Sequence, residues 1–161
     1  MPQRIQIISL HWKRVKMSDK YDVLKLDNQL CFPLYAVSKE IVRRYTPFLN
    51  EIDLTYTQYI AMMVMWEYKE VSVKELGKKL FLDSGTLTPL LKNLEKKGYV
   101  TRERSKTDER FLVVSITDAG MELREKAVDI PAKIGSCIRL EQQEAIQLYS
   151  IIKKLQCQFE E

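Results

Sequence analysis

A mainly α-helical chain with one small β-hairpin is the fold class this sequence predicts, on three observations. Apolar residues recur at spacings of three and four over most of the chain. Glycine and proline together supply only 10 of 161 residues, which favours long helices over a many-stranded sandwich. Two β-rich runs, YVTRER and FLVVSI, follow one another with the polar connector SKTDER between them.

The elements follow in order. Residues 1–16, MPQRIQIISLHWKRVK, read as an extension ahead of a more ordinary start at Met17, either from an upstream start codon or as a functional arm. Its apolar stretch is short and no small-residue cleavage site follows, so a signal peptide is disfavoured. Residues 17–161 read as one domain. Leu26, Leu30, Leu34, Val37 and Ile41 place a helix over 22–46, with a kink expected at Pro33, beside Cys31, and an end at Pro47. Thr55 caps a second helix to about Glu67, whose YIAMMVMW is apolar on most sides and needs burial. Ser72 starts the short helix SVKELGKKL. Asp83 or Ser84 caps SGTLTPLLKNLEKK, and Gly98 stops it. The hairpin comes next. Thr117-Asp118 then starts a helix that breaks or bends near Pro131, and a last helix covers about 141–158.

Composition excludes several functions. At 45% hydrophobic and 30% charged, the chain is a soluble globular one. No apolar window is long enough to span a membrane. Three separated cysteines, 31, 137 and 157, and one histidine, His11, make neither a zinc site nor a secreted disulfide framework, and point to a reducing cytoplasm. A catalytic triad would have to use His11 in the extension, so hydrolase chemistry is discounted and no cofactor or metal is implied. The charge is unevenly spread: residues 69–110 carry 11 Lys+Arg against 7 Asp+Glu, between acidic flanks. A basic middle segment suggests nucleic acid.

Spacing sharpens that suggestion. Two helices joined at Phe81-Leu82-Asp83, the second followed directly by a hairpin, make a winged helix-turn-helix over about 50–117. Leu87, Leu90, Leu91 and Leu94 form the inward stripe of the second helix. Asp83, Ser84, Thr86, Thr88, Lys92 and Asn93 are candidates to face a major groove, where such side chains reach base edges. Arg104, Lys106 and Arg110 at the hairpin can follow phosphates or enter a narrow minor groove. The alternative is a solvated face of an ordinary helical domain.

Residues 50–125 resemble the MarR family of winged-helix repressors. The likeness rests on Asp108-Glu109-Arg110, similar to the family's D-x-R wing, and on Ser115-Ile116-Thr117-Asp118-Ala119-Gly120. The resemblance implies that Arg110 enters the minor groove and Asp108 orients it. It further implies a homodimer joined by the N- and C-terminal helices, about 22–46 and 118–158, on an inverted-repeat operator in double-stranded DNA.

Further strings narrow the likeness. LDNQLCFPLYA, Tyr45-Thr46-Pro47, Leu54-Thr55-Tyr56-Thr57-Gln58-Tyr59, Trp66-Glu67, LDSGTLTPLL and Ala127-Val128-Asp129-Ile130-Pro131 resemble the OhrR branch, the organic-hydroperoxide sensors of the family. The match runs from about residue 22 to 131. It implies a redox-sensing repressor of peroxide-detoxification genes, with Cys31 the peroxide-reactive thiol. Tyr45 and Tyr56 become the hydroxyls bonded to its sulfur across a dimer interface. The chemistry agrees, because a thiolate attacks the peroxide and aimed donors favour that charged form. Cys137 would resolve Cys31 of the partner chain, unless a small external thiol does so. Three other readings stand beside these. Cys31 can be a buried structural thiol and the tyrosines packing residues. The regulator can respond to a small aromatic ligand with Cys31 incidental. The protein can be a thiol peroxidase, although no CxxC or redox domain is visible.

Overall fold

The computed structural model describes residues 19–105 and 111–159. The chain divides into two compact units, Met1–Thr46 and Pro47–Glu161.

In the first unit, Asp19 caps a 3-10 turn over Lys20–Leu24 by accepting from the Tyr21 N–H at 3.1 Å. Asp22 is buried, accepts from the Asp19 N–H at 3.2 Å and meets Lys25 Nζ at 2.7 Å. A second 3-10 turn, Leu26–Asn28, is held by Asn28 Nδ2 donating to the Asp22 carbonyl at 2.6 Å. Helix α1 then runs Cys31–Asn50.

The helix expected over 22–46 is therefore corrected at both ends. Residues 22–28 form 3-10 turns because Asp19, Asp22 and Asn28 bond to nearby backbone and compete with an α-helical ladder. Pro33 is the third residue of α1 and causes no break. An N–H there would lack an intrahelical partner in any case. Pro47 lies inside the helix instead of ending it. It costs one bond to the Arg43 carbonyl. The last turn persists because it buries Leu49, 1% exposed, in the core of the second unit. A turn closes α1, with the Leu54 N–H donating to the Leu49 carbonyl at 2.9 Å and Asp53 left-handed at φ 52°.

The second unit is built around α2, Tyr56–Tyr68. Thr55 caps it in a capping box with Gln58, as expected. Tyr59, Ala61, Met62 and Met65 are buried, so this apolar helix does form the centre of the core. Helix α3, Val73–Leu80, is capped by Ser72, and α4, Ser84–Lys96, by Asp83. Between them Phe81 takes a left-handed conformation, φ 54°, and the Leu82 N–H donates to the Gly77 carbonyl at 3.0 Å. A Cβ on Gly77 would stand 2.8 Å from the Leu82 carbonyl oxygen and 2.9 Å from Leu87 Cδ1, so α3 and the start of α4 approach this closely only over glycine. Leu87, Leu90, Leu91 and Leu94 are buried, and Gly98, at φ 76°, follows the helix end.

Strands β2, Val100–Arg104, and β3, Leu112–Ile116, make the expected hairpin, pairing Arg102 with Val114 and Arg104 with Leu112. A further strand, β1, Glu70–Ser72, was not expected. It pairs Val71 with Val114, giving the antiparallel order β1-β3-β2. Three residues carry no readable alternation, and β1 exists because β3 offers an edge on which Val71 becomes buried.

Thr117 caps α5, Asp118–Ala127, accepting from the Gly120 N–H at 3.1 Å and donating to the Gly98 carbonyl at 2.6 Å. Trp66 Nε1 donates to the Gly120 carbonyl at 2.8 Å, fastening α2 to that end of α5. The break near Pro131 is real: α6 spans Ile130–Cys137 with the proline in its first turn. Helix α7, Gln142–Gln156, buries none of its residues, and Ile146, Tyr149 and Ile151 are each more than half exposed. Among the described residues, no helix is long and apolar enough to cross a membrane.

Candidate DNA interface and candidate thiol site

Helix α4 presents two faces. Its four leucines point into the core, while Ser84, Thr86, Thr88, Lys92, Asn93 and Lys96 are all exposed. Asp83 begins the helix. Its carboxylate accepts from the Thr86 N–H at 2.9 Å and from Thr86 Oγ1 at 3.2 Å. Those bonds hold its carboxyl below the usual carboxylate range, so it is a firmly anionic cap. Thr88 Oγ1 donates to the Ser84 carbonyl at 2.7 Å.

Arg104 ends β2 and is exposed. Lys106, Asp108 and Arg110, the other hairpin candidates, lie outside the described residues. The base of the hairpin is fixed to α4 by Arg102, whose Nε donates to Glu95 Oε2 at 3.0 Å. That bond holds the Glu95 carboxyl below its ordinary range. Sequence reasoning missed this brace. It also missed Lys74 and Lys78 of α3, which line a groove of about 390 Å³ with Leu82, Ser84 and Phe111. A basic residue on the first helix of such a pair reads in sequence only as an amphipathic outer face.

The candidate thiol site is dispersed along the chain. Cys31 is the first residue of α1, and it is exposed and free. Within the single chain its sulfur is therefore not buried. Tyr45 lies on the same helix and is half-buried. It is 14 residues on, about 21 Å along the axis and roughly four turns, hence near the same stripe of α1. Within one helix the sulfur and that hydroxyl therefore do not meet. Tyr56 opens α2, in the other unit, and burial pushes its phenol up, so it stays a proton donor well past neutral pH. Cys137 ends α6, exposed, with Sγ donating to the Lys133 carbonyl at 3.4 Å. Cys157, which follows α7, is exposed as well. Among the described residues, no group of His, Cys, Asp and Glu is placed to hold a metal ion.

A helix-turn-helix with an antiparallel wing, and a second helix that shows Ser, Thr, Asn and Lys outward, define a winged-helix transcription regulator. The family described as transcriptional regulator SarA/Rot matches residues 43–127. The chain belongs to this family of MarR-type regulators. It is 46% identical to the organic hydroperoxide resistance transcriptional regulator of Bacillus subtilis, over 86% of this chain and 95% of that one. It is 48% identical to the regulator SarZ of Staphylococcus saprophyticus, over 76% of this chain and 84% of that one. Reduced AbfR bound to DNA matches with a TM-score of 0.73 and 34% identity, over 88% of this chain and 96% of that one. AbfR is a protein of Staphylococcus epidermidis, solved also overoxidized on DNA and in a disulfide form.

Proposed function

We propose that this protein is a redox-sensing transcriptional repressor of peroxide-detoxification genes, acting as a homodimer on an inverted-repeat operator. The observation that carries the reading is Cys31, an exposed thiol on the first turn of α1, in a chain 46% identical to an organic hydroperoxide resistance regulator. The reactive form of a cysteine toward peroxide is its thiolate. That thiolate attacks the terminal peroxide oxygen. The O–O bond breaks, the leaving alkoxide takes a proton, and the sulfur becomes a sulfenic acid. The Cys137 thiol of a partner chain then displaces water from it to form a disulfide, or a small external thiol does the same.

Pairing through α1 and α7 is supported by what one chain leaves uncovered. Phe32, Leu34 and Val37 of α1 are exposed, and so, separately, are Ile146, Tyr149 and Ile152 of α7. Exposed apolar helix faces mark interaction surfaces, and a two-fold dimer covers the same face on both copies. In a dimer, Tyr45 and Tyr56 of one copy would donate to the Cys31 sulfur of the other. Oxidation would then disturb the interface and shift the two α4 helices, whose spacing on a palindromic site is set near one DNA turn.

The test is fluorescence anisotropy on the DNA upstream of the protein's own gene. Reduced wild type and Cys31→Ser are each titrated, then treated with an organic hydroperoxide. Release of wild type with retention of Cys31→Ser supports the reading, and retention of both overturns it. Arg104→Ala, measured across a salt series, is expected to weaken binding uniformly and to lower the salt slope by about one. An unchanged slope would remove Arg104 from the interface.

A further inference from the structure

We infer that Lys97 transmits the state of the thiol site to the recognition helix α4, an inference that rests on the redox reading above. Lys97 is the residue at the C-terminal end of α4, with its side chain 25% exposed. Its ammonium reaches away from α4 to the turn between α1 and α2. There it donates to the Asp53 carbonyl, pairs with Asp53 Oδ2 at 3.1 Å and donates to Gln58 Oε1 at 3.4 Å. Gln58 is 5% exposed, and the same Oε1 accepts from the Thr55 N–H at 3.1 Å. One buried oxygen therefore joins the cap of α2 to the end of α4. Tyr56, the proposed donor to the reactive sulfur, is the first residue of α2 and lies between the two capping residues.

The turn held this way is the soft place in the path. Asp53 is left-handed, at φ 52°, and non-glycine residues visit that region at a cost. If Tyr56 shifts when its sulfur partner is oxidised, an ungripped turn at 51–55 absorbs the motion. With Lys97 bonded both to the turn and to Gln58, motion of the α2 start is passed to α4 instead. The ion pair to Asp53 is exposed, 81% on the carboxylate side, and contributes little by itself. The bonds to the carbonyl and to the buried amide carry the connection. Lys97 is thus a positioning residue, acting through α4 and not through contact with peroxide.

The experiment compares the ratio of oxidised to reduced dissociation constants for wild type, Lys97→Met and Lys97→Arg. Oxidation at Cys31 is confirmed by mass in each case. Lys97→Met is expected to bind DNA within about threefold of wild type when reduced, but to lose about tenfold of the oxidative weakening, a coupling of ordinary size. Lys97→Arg keeps a cation and donors and is expected to restore most of that weakening. The same oxidative ratio in Lys97→Met as in wild type overturns the proposal. So does equal weakening of reduced and oxidised binding, which would mark a phosphate contact or a purely structural role. Should Lys97→Met fail to fold, Lys97→Leu, which likewise has no donor, is read by the same ratio. Failure of wild type to release DNA once Cys31 is oxidised would instead remove the redox reading, and this inference with it.

Discussion

Gly120→Ala is expected to cost about 3 kcal/mol of stability and to lower the thermal midpoint by roughly 6–12 °C, the upper range for overpacking in a chain of this size. A Cβ on Gly120 would stand 2.2 Å from the Tyr99 carbonyl oxygen and 2.8 Å from Ile116 Cγ1. The nearer atom belongs to the backbone and has no rotamer to escape into. Relief requires the start of α5 to lift from the turn at 98–99. That turn accepts both the Thr117 N–H, at 3.1 Å, and the Thr117 hydroxyl, at 2.6 Å. The Trp66 indole bond to the Gly120 carbonyl would be strained by the same displacement. Differential scanning calorimetry reads the effect directly. A midpoint within about 2 °C of wild type would mean that α5 slides at little cost.

The second large effect concerns reactivity and depends on which chain supplies which residue. Tyr45→Phe is expected to slow oxidation of Cys31 by organic hydroperoxide about tenfold, the loss of one hydrogen bond to a charged group. Since Cys31 and Tyr45 sit about four turns apart on α1, the proposed donor would come from another copy. A mixed dimer of one Cys31→Ser chain and one Tyr45→Phe chain separates the possibilities cleanly. Its single Cys31 faces the native Tyr45 of the other chain if the site is shared, and oxidation is then as fast as in wild type. Slow oxidation in that mixed dimer would place the donor elsewhere. Stopped-flow oxidation of separately tagged chains provides the rates.

Much of the reading unit was legible in the sequence. Caps are local, so Thr55, Ser72, Asp83 and Thr117 could be identified from residue type and the apolar run that follows. The leucine stripe of α4 and the stop at Gly98 are likewise written in spacing. What stayed hidden depends on distant partners. The strand β1 forms only because β3 is beside it, and Pro47 is tolerated only because Leu49 is buried beyond it. At 22–28 the side chains of Asp19, Asp22 and Asn28 outcompete the helix that leucine spacing suggests. The candidate site divides in the same way. Cys31, Tyr45 and Tyr56 are candidates singled out by the strings around them, whereas Arg102–Glu95 and Lys97–Gln58 join residues with no periodic relation.

The two threonines of α4 have a consequence for which bases they can recognise. Thr86 and Thr88 each spend their one hydroxyl hydrogen inside the helix, on Asp83 and on the Ser84 carbonyl. Only lone pairs remain to face outward. In a major groove such oxygens suit the amino groups of adenine N6 and cytosine N4, while guanine O6 and N7, being acceptors, are refused. If α4 enters a major groove, guanine contacts along it would fall to Lys92 and Asn93, the exposed donors one turn further on.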